Sequence, residues 1–255
     1  VLLLLTLLAL GVPVAFSLLS TTLAYIIVVQ GAELDVVVTQ RLLTALDSFP
    51  LLAVPLFIFA GAIMAKGGIA ERLMGFADVI VGHLRGGLAQ VNVLNSVFIG
   101  GMSGSSSADA AIDSKILVPI MVKKGYSLPF AAALTAASSS LSPLLPPSIA
   151  LIVYGVLANV SIGDLFIGGI GPAVVAAIAM MALTYVISRI RNYGSNRGRA
   201  KWREILVTAR RAGLALLMPI LLIVGLRMGI FTPTELGAIA VVYALFVSGF
   251  AYRTL

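Results

Sequence analysis

The chain has 255 residues, of which 60% are hydrophobic and 11% are charged, and its formal net charge is +7. A soluble globular domain carries about 25% charged residues, so this composition excludes the soluble class and indicates a membrane protein. The sequence contains no cysteine, which excludes disulfides and thiolate metal sites. The opening run VLLLLTLLAL lacks a basic flank and a small-residue cleavage site, so we expect part of a membrane span rather than a signal peptide.

The positive charge of the chain is concentrated in one segment. Eight Lys and Arg residues lie between Arg189 and Arg211, and Glu204 is the only acidic residue among them, so this segment has the same net charge as the whole chain. A basic stretch between apolar spans is typical of the cytoplasmic side of a membrane protein. We therefore predict that residues 191–211 form a cytoplasmic loop and that the chain does not bind nucleic acid.

Apolar segments long enough to cross a bilayer follow one another along the chain. They occupy residues 1–29, 48–65, 127–157, 164–190, 212–229 and 234–252. The first is interrupted at Gly11-Val12-Pro13, where proline kinks or ends a helix. The polar segment 30–47 is expected outside the membrane, and the mixed pattern over 69–87 is typical of an interfacial amphipathic helix.

The first unusual feature is a polar break, GGMSGSSSAD, at residues 100–109. Its glycines permit the positive φ of a tight tip, and the segments on either side are too short for a full crossing. We therefore predict a re-entrant helical hairpin over residues 89–122, because irregular backbone survives in a bilayer only where protein or water satisfies it. Ser106 and Asp109 fit a capping box, in which Ser106 caps the returning helix and Asp109 reaches back to the tip.

That helix N-terminus would favour an anion such as a carboxylate, and the carbonyls at the end of the incoming helix would suit Na⁺. The alternative for Asp109 is a structural cap with no ligand contact. Asn92 and Asn95 share a helix face, where they serve either interhelical hydrogen bonds or the ion. Asp113 is expected to pair locally with Lys115, outside the site.

The second polar break, SSSLSPLLPPS, spans residues 138–148. Its three prolines remove hydrogen-bond donors and unwind the helix, which is expected to leave carbonyls of residues 139–143 without helical partners. The serine hydroxyls add further oxygen atoms, so the cluster suits a hard monovalent cation. A proline kink satisfied by nearby serines is the structural alternative.

An intramembrane serine protease is the main enzymatic alternative. Gly101-Met102-Ser103-Gly104 matches the G-x-S-G of rhomboid proteases, which need a histidine general base. The only histidine is His83, which precedes the serine, whereas a rhomboid base follows it. The sequence therefore predicts a protein that is not an enzyme.

Several motifs resemble one family along nearly the whole chain. They are LLAVPLFIFAGAIMAKGGIAERL (51–73), GGMSGSSSADAA (100–111), LVPIMVKKGY (117–126), FAAALTAASSSLSPLLPPSIALIVYG (130–155) and FTPTELGAIAVVYALFV (231–247). Together they resemble the large membrane subunit of tripartite ATP-independent periplasmic (TRAP) transporters. The resemblance implies an all-α, multi-pass protein of the bacterial inner membrane that works as an elevator.

The resemblance also implies Na⁺-coupled import of an organic acid, such as a C4-dicarboxylate or sugar acid. A periplasmic solute-binding protein would deliver the substrate, a small membrane subunit would pack against the scaffold, and Na⁺ would be the coupling ion with no other cofactor. The implied Na⁺ site consists of Ser103, Gly104, Ser105, Asp109, Ser139, Ser140 and Pro143. The implied substrate site includes Ser106, Ser107, Pro146 and Ser148.

The same resemblance divides the chain into regions. Residues 89–190 would be a transport-domain half, and 1–88 and 212–255 would be scaffold. The family has two inverted repeats, whereas this chain shows one repeat and the start of a second, so we expect a fragment or truncated gene with one of two half-sites. A sodium/dicarboxylate carrier that needs no binding protein, and a structural subunit that does not transport, are the alternatives.

Overall fold

The computed structural model describes residues 2–30, 40, 43, 48–195 and 197–254. Within these residues the regular secondary structure is helical and contains no strand, which confirms the all-α membrane class. The chain divides into two compact units, residues 1–48 and residues 49–255. Most of the predicted polar segment 30–47 lies outside the described residues.

The first unit contains two short helices, α1 (Leu2–Ala9) and α2 (Val14–Tyr25), and α2 continues into a π-helical turn at Ile26–Gln30. The backbone of Gly11 has a positive φ of 79°, and Pro13 immediately precedes α2. Because proline cannot donate a backbone hydrogen bond, it is tolerated best at a helix start, where the N–H group has no helical partner. The predicted interruption at Gly11-Val12-Pro13 is confirmed.

The second unit is a bundle of helices joined by short connections. After a 3-10 turn at Phe49–Leu52, its elements are α3 (Ala53–Lys66), α4 (Ile69–Val81), α5 (Gly87–Ser103), α6 (Ser106–Lys123), α7 (Leu128–Ser138), a 3-10 segment (Ser139–Leu144), α8 (Ile149–Ala158), α9 (Ile162–Ile190), α10 (Trp202–Arg227) and α11 (Pro233–Phe246), which ends in a π-helical turn (Val247–Ala251). The helices Phe49–Lys66, α9, α10 and Pro233–Ala251 are each long and apolar enough to span a membrane. The segments Leu128–Leu144 and Ile149–Ala158 meet the same test as a pair bent by 44°.

Helix α10 begins earlier than the sequence pattern indicates. Residues 202–211, predicted within the basic loop, form its first turns. This stretch contains no glycine or proline, and Glu204 lies in the first turn, where a negative charge favours the helix dipole. The basic residues therefore lie partly on a helix rather than wholly in a loop.

Helices α5 and α6 form an antiparallel hairpin with only Gly104 and Ser105 between them. The side chain of Asn95 in α5 donates a 2.7 Å hydrogen bond to Asp113 in α6, and both residues are nine positions from Gly104. Neither arm is among the helices that could cross a membrane, because α5 has only 17 residues and α6 carries four charged ones. The helical hairpin is thus present, and its re-entrant position in the bilayer stays a prediction.

The apolar contacts of the second unit form two main clusters and a smaller one between α4 and the hairpin. The first joins α3, α4, α10 and α11 through residues such as Phe57 and Met218, and it also includes Ile99 of α5, Ile152 of α8 and Phe166 of α9. The second joins α5, α6, α7 and α9 through residues such as Val93, Met121, Leu134 and Ala177. Because lipid is as apolar as these side chains, close packing rather than exclusion from water stabilises such contacts.

Contacts near the ends of several helices gather basic residues at one end of this unit. The Gly67 carbonyl accepts a 2.5 Å hydrogen bond from Thr254, and the Arg72 guanidinium lies 3.7 Å from the ring centroid of Tyr252. The Tyr252 hydroxyl donates to the Arg211 carbonyl at 2.9 Å. Arg197 pairs with Glu204 and lies 3.6 Å from Asp78, so the segment after α9 also contacts α4 and α10 at this end.

Candidate functional site

The two polar breaks predicted from the sequence pack directly against each other. Gly104, at the hairpin tip, has a φ of +58°, and a Cβ atom there would lie 2.0 Å from the Pro147 carbonyl oxygen. A Cβ atom on Gly100 would lie 2.7 Å from the Cα atom of Ser142. Only glycine permits both the left-handed backbone at the tip and this approach of backbone to backbone. The glycines of the first break therefore bring the hairpin onto the unwound part of the bent helix.

Two helix N-termini meet at this junction. The side chain of Ser105 caps α6 by accepting from the Ala108 amide at 3.4 Å, and Ser148 caps α8 by accepting from the Leu151 amide at 3.2 Å. A Cβ atom on Gly104 would lie 2.9 Å from the Cα atom of Ser148, so the N-termini of α6 and α8 are adjacent. Each N-terminus presents free N–H groups and the positive end of a helix dipole.

The predicted capping box at Ser106 and Asp109 is wrong. Ser105 has the extended backbone of a capping residue, with φ −127° and ψ 115°, whereas Ser106 is already the first helical residue. Asp109 does not reach back to the tip, because its Oδ2 atom accepts a 2.8 Å hydrogen bond from Ser142 in the second break. Asp109 therefore joins the two breaks to each other.

Three buried side chains near the junction each have one oxygen atom that receives no hydrogen bond. Asp109, Asp113 and Asn95 are each at most 2% exposed. Within the described part of the chain, no donor reaches Oδ1 of Asp109, Oδ2 of Asp113 or Oδ1 of Asn95. Buried oxygens without a donor are costly, so this cluster is suited to a ligand that attracts oxygen lone pairs.

The predicted local pair of Asp113 with Lys115 is wrong. Asp113 points into the hairpin and accepts from Asn95, while Lys115 is exposed. No ion pair joins the two residues in the residues that the structure describes. Asp113 thus belongs to the buried polar network from which the sequence interpretation had excluded it.

A second set of hydrogen bonds fixes α5 to α7 just before the unwound segment. The amide of Asn92 donates to Thr135 at 2.8 Å and accepts from Ser138 at 2.8 Å. Ser96 donates to Ser138 at 3.0 Å. Because these groups are buried and paired across helices, Asn92 has the interhelical role that was one of its two predicted alternatives.

The hydroxyl groups of the second break are bonded mainly within their own segment. Ser139 donates to the Thr135 carbonyl at 2.9 Å, and Ser140, which is exposed, donates to the Ala137 carbonyl at 2.6 Å. The Pro143 carbonyl accepts from Ser148 at 2.5 Å, and the Ser142 carbonyl accepts from the Leu145 amide at 3.3 Å. Two of the carbonyls that were expected to be free are therefore occupied, that of Ser142 by the 3-10 coiling of the segment and that of Pro143 by the Ser148 side chain.

The remaining predicted site residues lie around the same junction. Ser103 is buried at the end of α5 and packs against Gly61 of α3. Ser106 is half-buried, Ser107 is exposed and lies 3.1 Å from the Ser105 hydroxyl, and Pro146 is buried. The structure thus brings the tip, Asp109 and Pro146 to Ser148 together, while Ser140 faces outward.

Several polar residues of the network were absent from the predicted site, namely Asn92, Asn95, Ser96, Asp113, Thr135, Ser138 and Ser142. For Asn95 and Asp113 the signal in the sequence is symmetry, because they are equally distant from the Gly104 tip and must face each other in a hairpin. Ser96 follows Asn92 and Asn95 on the same helix, and no local sequence pattern distinguishes it from a serine that only packs between helices.

Comparison with known proteins gives one consistent result. The family model of the tripartite ATP-independent periplasmic transporter, DctM component, matches residues 1–255. The sialic acid TRAP transporter large permease protein SiaM of Vibrio cholerae is 41% identical over 245 residues, which are 96% of this chain and 57% of that protein. The C4-dicarboxylate TRAP transporter large permease protein DctM of Vibrio cholerae is 37% identical, over 95% of this chain and 53% of that protein.

A third relative, the 2,3-diketo-L-gulonate TRAP transporter large permease protein YiaN of Escherichia coli, is 38% identical over 96% of this chain and 57% of that protein. The chain therefore spans a little over half the length of these relatives. Members of this family are transporters and not enzymes, which removes the protease interpretation. From the match over its full length, together with the helical hairpin and the bent helix that meet in its core, this chain belongs to the DctM component family, the large permease subunits of TRAP transporters.

Proposed function

We propose that the protein containing this chain imports an organic acid across the bacterial inner membrane by Na⁺-coupled secondary transport. The observation that carries this proposal is the junction of the two breaks, where two helix N-termini lie beside a buried cluster of oxygens that lack donors. A site of this composition suits an anion and a cation at the same time, which is what coupled transport of a carboxylate requires.

The anion would be held by the starts of α6 and α8. A helix N-terminus carries roughly half a positive charge and several free N–H groups, so two of them together stabilise a carboxylate without a basic side chain. Ser105 and Ser148 cap these helices, and Ser106, Ser107 and Pro146 border them. The names of the relatives specify sialic acid, C4-dicarboxylate and 2,3-diketo-L-gulonate, which are all organic acids.

The coupling ion would be held next to Asp109. This carboxyl group has one oxygen bonded to Ser142 and the other without a donor, so it fits a hard cation such as Na⁺. Ser103, Gly104 and Ser105 at the tip, and Ser139, Ser140 and Pro143 in the second break, would complete the oxygen shell. The Ser139 and Ser140 hydroxyls donate their protons to carbonyls and keep lone pairs for an ion, but Ser140 is exposed, so the buried Asp109 would be the principal ligand.

Transport would move the hairpin, the bent helix and α9 against the helices that surround α10. The apolar cluster that joins α5, α6, α7 and α9 supports a moving unit of this kind, and the contacts of Ile99, Ile152 and Phe166 with the scaffold helices would have to slide. A periplasmic solute-binding protein would supply the substrate, and a small membrane subunit would pack on the scaffold helices. The gathering of Lys66, Arg72, Arg197 and Arg211 at one end supports a cytoplasmic location for that end.

The direct test is uptake by proteoliposomes that hold the full-length natural protein with its membrane and binding-protein partners. A panel of radiolabelled sialic acid, succinate and 2,3-diketogulonate would be offered with an inward gradient of Na⁺ or of K⁺. We expect accumulation of one of these acids that requires the Na⁺ gradient. Equal accumulation with K⁺, or accumulation of none of the acids and of uncharged analogues instead, would contradict the proposal.

A further inference from the structure

Helix α10 is longer than the apolar core of a bilayer. Its 26 residues span about 39 Å at 1.5 Å per residue, whereas the hydrocarbon core is about 30 Å thick. The excess of about 9 Å corresponds to about six residues at the N-terminal end, which begins with Trp202 and Arg203, and Arg210 and Arg211 follow within the next turn. These first turns must therefore lie at the level of the lipid headgroups.

Two of these arginines are exposed and lie on one face of α10. Arg203 and Arg210 are seven residues apart, which places them on one face and about 10 Å apart along the axis. The side chains of Leu206 and Leu214, on the same face, are exposed. The two arginines thus share this exposed face with Leu206, which lies between them, and with Leu214, which follows Arg210, so charged and apolar groups adjoin as a phospholipid would require.

No protein group neutralises this pair within the described residues. Neither arginine has an ion-pair partner there, and the adjacent acid, Glu204, is taken by Arg197. Trp202 precedes Arg203 and is 75% exposed. Tryptophan is enriched at the membrane–water interface, because its ring is apolar and its N–H is polar. A charged pair, an apolar stripe and an interfacial ring therefore coincide on one surface.

We propose that Arg203 and Arg210 bind the phosphate of an anionic phospholipid, with Trp202 at the level of its headgroup. The planar guanidinium group forms two parallel hydrogen bonds to phosphate oxygens, which makes arginine better suited to this than lysine. An anionic lipid gains from both charges, whereas a zwitterionic lipid carries its own compensating cation. The site therefore prefers phosphatidylglycerol over phosphatidylcholine.

The test uses Trp202 as a local reporter in the full-length natural protein, reconstituted in nanodiscs. Brominated phosphatidylglycerol and brominated phosphatidylcholine would be compared as quenchers, and the signal of Trp202 would be assigned by its loss in Trp202→Phe. We expect stronger quenching by phosphatidylglycerol. In the R203Q/R210Q variant this preference should fall by about 25-fold, at about five-fold for each charge removed.

The matched control is R189Q/R253Q, which removes the same number of exposed charges from other segments of the chain. It should change the preference less than about three-fold, because charges outside the patch are screened by salt. Melting in phosphatidylcholine would show that both double variants fold. In the unaltered protein, the preference should also fall as NaCl rises from low to high concentration.

Several results would overturn the proposal. Equal quenching by the two lipids would exclude selectivity, and a preference insensitive to salt would exclude a charge contact. An equal loss in both double variants would indicate diffuse attraction rather than a site. Absence of quenching by either lipid would show that a protein partner, and not lipid, covers this face.

Discussion

Asp109 is completely buried, and only one of its carboxyl oxygens receives a hydrogen bond, from Ser142. This one contact joins the hairpin to the unwound segment through side chains. Ser140 lies two positions before Ser142 and has the same hydroxyl group, but it is exposed and bonds to its own helix. Substitution of each serine by alanine therefore distinguishes the loss of the bond to Asp109 from the loss of a hydroxyl group alone.

We expect Ser142→Ala to lower the free energy of unfolding by about 1–2 kcal/mol. The estimate lies between the average for interhelical hydrogen bonds in membranes and that for bonds to charged groups. Ser140→Ala is the matched control and should cost less than about 0.5 kcal/mol. Thermal or denaturant unfolding in detergent would measure both, and equal losses would contradict the assignment of Ser142 as the link to Asp109.

The polar residues of the breaks could be predicted because clustered serines and prolines are exceptional in apolar sequence. Their partners could not be predicted in the same way. Asn92 meets Thr135 and Ser138 across more than 40 residues, and such a contact depends on how two helices pack. The N-cap of α6 is Ser105 rather than Ser106 because Ser105 has the extended backbone of a capping residue. The sequence does not show this, because every serine from Ser103 to Ser107 could cap the helix equally well.

At the scale of elements, the hairpin and the bent helix form one unit because their backbones touch. The closest approach is at Gly104, whose missing side chain leaves room for the Pro147 carbonyl. The sequence predicted both elements, with bounds within a few residues of the structure. It did not predict that the 3-10 segment satisfies part of its own backbone, because proline removes donors without indicating which acceptors find new ones.

Gly104→Ala should lower the free energy of unfolding by about 3 kcal/mol or more. The left-handed backbone costs an L-residue roughly 1–2 kcal/mol, and the contact with Pro147 adds an overpacking cost of about 1–3 kcal/mol. Gly125→Ala is the matched control, because Gly125 also has a positive φ, of 90°, and a Cβ there meets nothing within 4 Å.

The control should therefore show the backbone cost alone. Unfolding in detergent would compare the two variants, and limited proteolysis near residue 104 would report separation of the tip. If both substitutions cost the same, the tip does not press on the bent helix and the junction is looser than described.

Within the whole molecule, α9 runs from a turn that contains no basic residue to the end where the basic residues gather. The turn before it contains Val160, and the segment after it contains Ser195, next to the basic residues that gather at that end. Both side chains are exposed, and the chain has no native cysteine. Single cysteines at these positions would therefore report the orientation of the protein directly.

We expect a membrane-impermeant maleimide to label Val160→Cys in intact spheroplasts and to label Ser195→Cys only after permeabilisation. The reason is that positively charged ends stay on the cytoplasmic side during insertion. Mass spectrometry or gel shift would read out both variants, and the reverse pattern would contradict the proposed orientation.

The central claim is that the junction of the two breaks binds Na⁺ through Asp109, and its most direct measurement is the melting temperature of the full-length protein in NaCl and in KCl. A ligand that binds only the folded state stabilises it, so Na⁺ should raise the melting temperature of the unaltered protein above its value in K⁺. Asp109→Asn keeps the shape and removes the charge, and it should abolish this difference, whereas Lys115→Gln on the exposed side of the same helix should retain it. An equal melting temperature in the two salts, or a Na⁺ effect that survives in Asp109→Asn, would contradict the account.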